Sequence, residues 1–221
     1  MNYVARTIGW ADFTIGPVKG RCRGGCWYCY DHGRHQRFHL DPTPRLDLSV
    51  FEKPRKRKKP ARIFVCSTHD LFGDWIPVDW IEAVLRQAAD SPQHVFQFLT
   101  KNLSRAASFW FLFPRNAWVG ATVDQQKAVE QVTVLTGLKD NTRFISCEPL
   151  LERIELPEEL LEALNLLIIG PLTVRGGRTR QPEPEWVESL LRQADQYKVP
   201  VFMKPNLKWR DKRQEFPNEG R

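Results

Sequence analysis

Short apolar runs alternate with amphipathic stretches along most of this chain. RIFVCS (62–67), HVFQFLT (94–100), AWVGATV (117–123), RFISCEP (143–149), NLLIIG (165–170) and VPVFMK (199–204) are rich in β-branched and aromatic residues and read as strands. FTIGPV (13–18) reads as the first of the series. Between them, VDWIEAVLRQAA (78–89), LSRAASFWFLF (103–113), QQKAVEQVTVLTGL (125–138), PEELLEAL (157–164) and PEWVESLLRQADQY (184–197) carry helical patterns. Pro77 suits the first turn of the earliest helix. Strict alternation of strand and helix predicts right-handed βαβ units on a parallel sheet. Nearly unbroken apolar strands fit a sheet covered on both faces. Six or seven such units predict an α/β fold, a partial (β/α)6-type TIM barrel with parallel strands; a doubly wound open sheet is the alternative. The expected organisation is one barrel domain over residues 1–206 and a charged C-terminal tail over 207–221.

In a barrel, chemistry gathers at the C-terminal ends of the strands. Those ends are polar here. Cys66, Ser67, Thr68, His69 and Asp70 follow one strand, and Thr100 and Lys101 the next. Thr122 and Asp124, then Ser146, Cys147 and Glu148, then Lys204 close the series. Loops that start helices also hold N-caps, which is the structural reading of Ser67, Thr100 or Thr122. Ionisable groups at all five ends (Asp70, Lys101, Asp124, Glu148, Lys204) call for a polar ligand, because converging charges are costly unless something meets them.

The 221 residues, 42% hydrophobic and 27% charged, match an ordinary globular domain with a core large enough to need no disulfides. No apolar run reaches the length of a membrane span, and the N-terminus lacks the pattern of a secretory signal. Five cysteines in that setting point to a reducing, cytoplasmic compartment, where thiols bind metal or do chemistry. A net charge of +7 favours acidic partners, DNA or RNA first among them. KPRKRKKPAR (53–62) holds seven basic residues and no acid, and its prolines predict a loop.

The segment RCRGGCWYCYDHGRHQRF (21–38) holds Cys22, Cys26 and Cys29, just after the first strand. Three thiols make neither a disulfide set nor a closed zinc site. Gly24 and Gly25 let the backbone wrap so that three sulfurs can converge on one centre. Thiolates are the preferred ligands of iron–sulfur clusters and zinc. Three of them on a four-iron cluster leave one iron open, the mark of a catalytic rather than a structural site. The competing reading is zinc completed by His32, His35 or His39, against which stand the bulky Trp27 and Tyr28 between ligands.

The spacing C-x3-C-x2-C, with Tyr28 before the third cysteine, resembles the signature of the radical S-adenosylmethionine superfamily. RIFVCSTHDLFGDWIP, FQFLTKNLSRA, AWVGATVD, RFISCEPLLERIEL, LLIIGPL and VPVFMKPNLKWRDKRQEFP are similar to successive blocks of a phage- and prokaryote-associated family within it, of uncharacterised function. Two departures stand out. Many members have a longer cysteine loop, and many carry GGES where this chain reads GPLTVRGG. The resemblance implies a [4Fe-4S] cluster on Cys22, Cys26 and Cys29, S-adenosyl-L-methionine on the open iron, and a 5′-deoxyadenosyl radical formed with one electron from an external donor of flavodoxin or ferredoxin type. It implies Tyr28 beside the adenine and Ser67 and Asp70 near the methionine amino group. Thr122, Ser146, Gly170 and Lys204 complete the cofactor candidates. Lys101, Asp124 and Glu148 are the candidates for catalysis. Cys66 and Cys147 are either core fillers or the source of a returned hydrogen atom.

The expected substrate is a nucleic-acid base, modified or repaired, on the strength of the charge, the basic run, the basic LKWRDKR stretch and the tryptophans. A small molecule or peptide is the second expectation. A zinc-stabilised binding module without enzymatic activity is the third.

Overall fold

The computed structural model describes residues 1–174 and 178–217. Strands β1 (Asn2–Tyr3) and β2 (Phe13–Ile15) are followed by the short pair β3 (Val18–Lys19) and β4 (Arg45–Leu46). Then come β5 (Arg62–Val65), β6 (Val95–Thr100), β7 (Ala117–Thr122), β8 (Thr142–Cys147) and β9 (Leu166–Ile169). A second short pair, β10 (Leu172–Thr173) and β11 (Thr179–Arg180), precedes β12 (Val201–Met203). The main sheet runs β1-β2-β5-β6-β7-β8-β9-β12. Only β1 is antiparallel in it; every pairing from β2 to β12 is parallel. The expected partial TIM barrel is the observed fold.

Period-2 alternation divides the strand residues between two layers. Ile63, Val65, Phe96, Phe98, Val119, Ile145, Leu167 and Val201 face the helices and form the larger core. Phe64, Trp118, Phe144, Ile168 and Phe202 face the concave side and pack around Trp10 from the β1–β2 loop. Trp10 lies 4.7 Å from Phe64 and 5.8 Å from Phe144, ring to ring. The sheet curls far enough that opposite margins share partners. Arg62 of β5 stacks 3.6 Å over Phe216, which itself packs on Phe202 of β12. The described part of the C-terminal segment thus lies against the sheet: Gln214 bridges Phe202 and the Glu215 carboxylate accepts from Val201 N.

The helices are α1 (Tyr30–Arg37), α2 (Glu52–Lys56), α3 (Val78–Ala89), α4 (Leu103–Ala107), α5 (Val129–Val132), α6 (Glu158–Ala163) and α7 (Pro184–Gln196). Four expectations need correction. The first strand ends at Ile15, since Gly16 and Pro17 break it, and Val18–Lys19 pairs with Arg45–Leu46 instead. The helix expected over 103–113 stops at Ala107, and a 3-10 turn, Trp110–Leu112, follows. That turn sets Phe109 and Phe113 together against Phe72. The helix expected over 125–138 is a single α-turn flanked by 3-10 turns. Val132, Thr133, Val134 and Thr136 are poor helix formers, and the Thr133 hydroxyl bonds back to Glu130 O at 2.9 Å. The basic run expected as a loop begins inside α2, with Pro54 in its first turn, where its missing N–H costs nothing. This run feeds the N-terminal end of β5, so it lies at the floor of the barrel, away from the strand ends where the chemistry was sought. Residues 175–177, part of the GPLTVRGG departure, and 218–221 of the expected tail lie outside the described residues.

Candidate active site

A cleft of about 630 Å3 opens at the C-terminal ends of the strands, walled on one side by the cysteine loop. The floor is set at β5. Cys66 takes a left-handed φ of 61°, a conformation L side chains reach only at a cost, and the chain turns sharply over the strand end. That turn brings Ser67, Thr68, His69 and Asp70 into the lining. The Thr14 hydroxyl donates to Phe64 O at 2.9 Å and shares a 3.0 Å hydrogen bond with the Ser67 hydroxyl, tying this turn to β2. Asp70 joins the ends of β5 and β6: its Oδ1 accepts from the Thr100 hydroxyl at 2.7 Å and Phe72 N at 3.0 Å, and its Oδ2 from Lys101 N at 2.9 Å. Three donors fill most of this carboxylate's capacity, so its first job is to hold two loops together.

Across the cleft, β7 delivers Thr122 and Asp124. Asp124 Oδ2 accepts from the Tyr28 hydroxyl at 2.6 Å and from Lys101 Nζ at 2.7 Å. Lys101 Nζ also lies 5.5 Å from the Tyr28 ring centre. This three-residue junction clamps the cysteine loop to β6 and β7. Burial favours the neutral form of Asp124, but the bonds from Lys101 and Tyr28 outweigh it and hold the carboxyl below its usual range. The Tyr28 hydroxyl is driven up by burial and by the neighbouring Asp124, so it remains a donor at neutral pH.

A pH dependence follows. With the folded-state pKa of Asp124 depressed, the unfolded state binds more protons, so stability rises with pH through this range. The contribution is present above the ordinary aspartate value of about 4 and is lost as pH falls through the lower folded value. Urea unfolding between pH 2.5 and 6 is expected to show this loss in wild type, and a shallower acid slope in Asp124→Asn. Equal slopes would mean that the clamp contributes nothing.

The three thiols are free of disulfides and all line the cleft. Gly24 N donates to Cys22 Sγ at 3.4 Å, and Cys26 N and Cys29 N close tight turns on Gly24 O and Cys26 O. A Cβ on Gly24 would meet the Trp75 ring at 3.4 Å and Cys22 Sγ at 3.5 Å, ordinary contact distances, so neither clearance nor a left-handed backbone demands glycine there. Cys29 occupies the N-cap of α1 without using its side chain as a cap, so its sulfur sits at the positive end of the helix. Burial raises the Cys22 and Cys26 thiols, and Cys29 adds an unfavourable electrostatic contribution at each. Among the described residues, no three His, Cys, Asp or Glu side chains are gathered tightly enough to hold a single metal ion. One zinc on three thiolates needs sulfurs about 3.8 Å apart, the edge of a tetrahedron of 2.3 Å bonds. Three cysteine thiols on one loop are a donor set that both zinc and iron–sulfur clusters take.

Other expected residues lie elsewhere. Glu148 and Lys204 form an ion pair deeper in the lumen, with Trp10 Nε1 at 3.5 Å from Glu148 Oε2. Gly170 stands beside them, where a Cβ would meet Lys204 Cγ at 2.8 Å. Ser146 is fully buried, and among the described residues its hydroxyl has no partner. Cys147 faces the helix layer, and burial pushes its thiol up. Cys66 reaches the cleft, but burial pushes its thiol up to about 12. The structure therefore brings the cysteines, Tyr28, Cys66, Ser67, Asp70, Lys101, Thr122 and Asp124 together, and leaves Ser146, Cys147, Glu148, Gly170 and Lys204 outside the cleft. Sequence reasoning missed Asp31 and gave no role to His69, which it named only among the polar strand ends; both are buried and both line the cleft. Asp31 pairs with Arg34 at 2.6 Å and lies 3.4 Å from His35, so one of the expected zinc histidines is already committed.

A family model described as "Protein of unknown function (DUF5131)" matches residues 5–220. No curated protein matches the chain. Among solved structures, spore photoproduct lyase complexed with dinucleoside spore photoproduct is similar, with a TM-score of 0.60 and 13% identity over 87% of this chain and 76% of that one. A double mutant of the lyase, with bound AdoMet and the dinucleoside, gives the same values. A single mutant of it gives 0.59 and 14% over the same shares. At that identity the likeness is one of fold.

Proposed function

The chain belongs to the DUF5131 family of proteins of unknown function, and from that premise we propose that it is a radical S-adenosylmethionine enzyme that acts on nucleic acid. One observation carries the reading: a loop of three free cysteines walls a cleft at the C-terminal mouth of a partial barrel. Cys22, Cys26 and Cys29 would hold a [4Fe-4S] cluster. When bound, that cluster with S-adenosylmethionine supplies one-electron cleavage of the sulfonium and a 5′-deoxyadenosyl radical. The chain's own part is placement. Tyr28, anchored by Asp124, fixes the loop and presents its ring to an adenine. Lys101, held beside Asp124, offers a cation to the cofactor carboxylate. Ser67 and Thr122 offer hydroxyls from the two facing strand ends. Asp70 positions Thr100 and Lys101 rather than meeting the ligand first. The Glu148–Lys204 pair, buried at the lysine, shapes the lumen beside the cleft.

The nucleic-acid assignment draws support from the net charge of +7 and from neighbours of the same fold solved with a dinucleoside. One observation favours a second reading, a small molecule or peptide substrate. The cleft lining carries Asp31, Asp70, Asp74 and Asp124 against Lys101 and Lys127, a poor match for phosphates. Anaerobic assays separate the two. Oligonucleotides, single-stranded or damaged, are expected to accelerate 5′-deoxyadenosine release and to bind with a steep salt dependence. Release that no oligonucleotide alters, with no binding at low salt, would leave the second reading in place.

A further inference from the structure

Two tryptophans line a second cavity at the edge of the cleft. This pocket, of about 190 Å3, holds Trp27 of the cysteine loop and Trp186 of α7 in its wall. Trp27 and Gln125 also line the cleft, so the two cavities adjoin. Trp27 is 73% exposed, and it meets Tyr28 edge to face, at 5.4 Å and 84°. Among the described residues no ring stacks flat on its indole. A single exposed aromatic is ordinary on a protein surface. This one shares its pocket with a half-buried second tryptophan and with the apolar surface of three leucines. The polar lining is mixed: the Gln125 amide, the Arg180 guanidinium on β11 and the Glu183 carboxylate. Among the described residues none of these three side chains makes a hydrogen bond or an ion pair, so their donors and acceptors stand ready for a ligand.

We propose that this pocket is a base-stacking subsite: it takes the nucleobase next to the target in a single-stranded nucleic acid, its face on Trp27 and its edge on Gln125, Arg180 and Glu183. The inference rests on the nucleic-acid reading of the cleft and adds to it a second contact and the form of the strand. Pockets for whole drug-sized ligands run about 300–1,000 Å3, so this one suits a single ring system. A base offers a π face for stacking and an edge of mixed donors and acceptors. That edge matches an amide, a guanidinium and a carboxylate together. A phosphate would be repelled by Glu183, and an aromatic side chain of a peptide would leave all three polar groups unmet. In a duplex the faces of a base are already covered by its neighbours, so the strand has to be single or locally opened. Affinity drawn from stacking also suits a cleft whose carboxylates match phosphates poorly.

The test moves 2-aminopurine, a base whose fluorescence falls on stacking, along a short single-stranded oligonucleotide bound to the reconstituted protein. Wild type is expected to quench it at one position. Trp27→Ala is expected to abolish that quench and to weaken binding by about fivefold to a hundredfold, while Trp27→Phe keeps most of both. The slope of affinity against salt is expected to stay that of wild type, because no phosphate contact is lost. Arg180→Ala, outside the cysteine loop, is expected to weaken the same probe by about tenfold. Unchanged binding and quench in Trp27→Ala overturn the subsite and leave the nucleic-acid reading standing. Weaker binding in Trp27→Ala that comes with lost iron, and none in Arg180→Ala, traces to the loop itself and overturns the subsite too. An abasic strand that binds as tightly as the complete one overturns it in favour of phosphate contacts. A mononucleotide that competes at the oligonucleotide's own affinity overturns it in favour of a free nucleotide. Absence of oligonucleotide binding by wild type at low salt, with an aromatic peptide bound in a Trp27-dependent way, overturns the nucleic-acid reading beneath it.

Discussion

Cys26→Ala is expected to reduce iron and sulfide retention to background and to abolish 5′-deoxyadenosine release, while the fold survives. Cys26 is half-buried in a loop that packs on the barrel through Tyr28 and Asp124, and its sulfur adds only a side-chain hydrogen bond to Tyr28. Its removal leaves no cavity in either core, so the thermal midpoint should move by no more than a surface substitution would, within about 0.5 kcal/mol. A cluster held by three thiolates has no spare protein ligand, and two are not enough to keep it. Cys147→Ala provides the contrast. That thiol lies among the outer-layer apolar side chains and out of the cleft, so it should cost stability and leave the iron content of the purified protein unchanged. Iron retained by Cys26→Ala, or lost from Cys147→Ala, would place the metal elsewhere.

Phe144→Ala is expected to give the largest stability loss among single changes near the site, about 3–5 kcal/mol. Phe144 is fully buried on the concave face of β8, against Trp10 and over Gly120. The packing is close enough that a Cβ on Gly120 would sit 2.6 Å from the ring. Truncation opens a void beneath the cleft that the surrounding strands cannot collapse into, because each is held in register on both sides. For a chain of this size the fall in thermal midpoint should be about 6–20 °C. Phe111→Ala, at a ring 82% exposed, should shift it by no more than about a degree or two. A small effect at Phe144 would mean that Trp10 does not plug the lumen as described.

Much of this architecture is legible in the sequence because parallel strands buried on both faces read as continuous apolar runs, and because β5 to β9 and β12 each do so. The cysteine spacing is equally legible, since only local chain geometry is needed to put Cys22, Cys26 and Cys29 on one loop. What the sequence hides is direction. Ser146 and Cys147 are neighbours on one strand, yet one faces the lumen and the other the helices, and only sheet register decides which. The polar strand ends looked like one convergent set. The curl of the sheet splits them: Asp70, Lys101 and Asp124 border the cysteine loop, whereas Glu148 and Lys204 satisfy each other over the end of β9. The basic run at 53–62 misled for a related reason, since charge along the chain does not say at which end of the barrel it lies. Asp31 escaped notice because a polar residue in the first turn of a helix reads as a surface or capping group until its burial is known, and His69, one of five polar residues after β5, receives no role because the pattern does not say which of them turns inward.

The most direct test of the central claim is the metal content of the anaerobically purified and reconstituted protein. About four irons and four sulfides per chain are expected, with a visible iron–sulfur absorption band and 5′-deoxyadenosine formed on reduction in the presence of S-adenosylmethionine. One tightly held zinc per chain, no bound iron and no deoxyadenosine would contradict it.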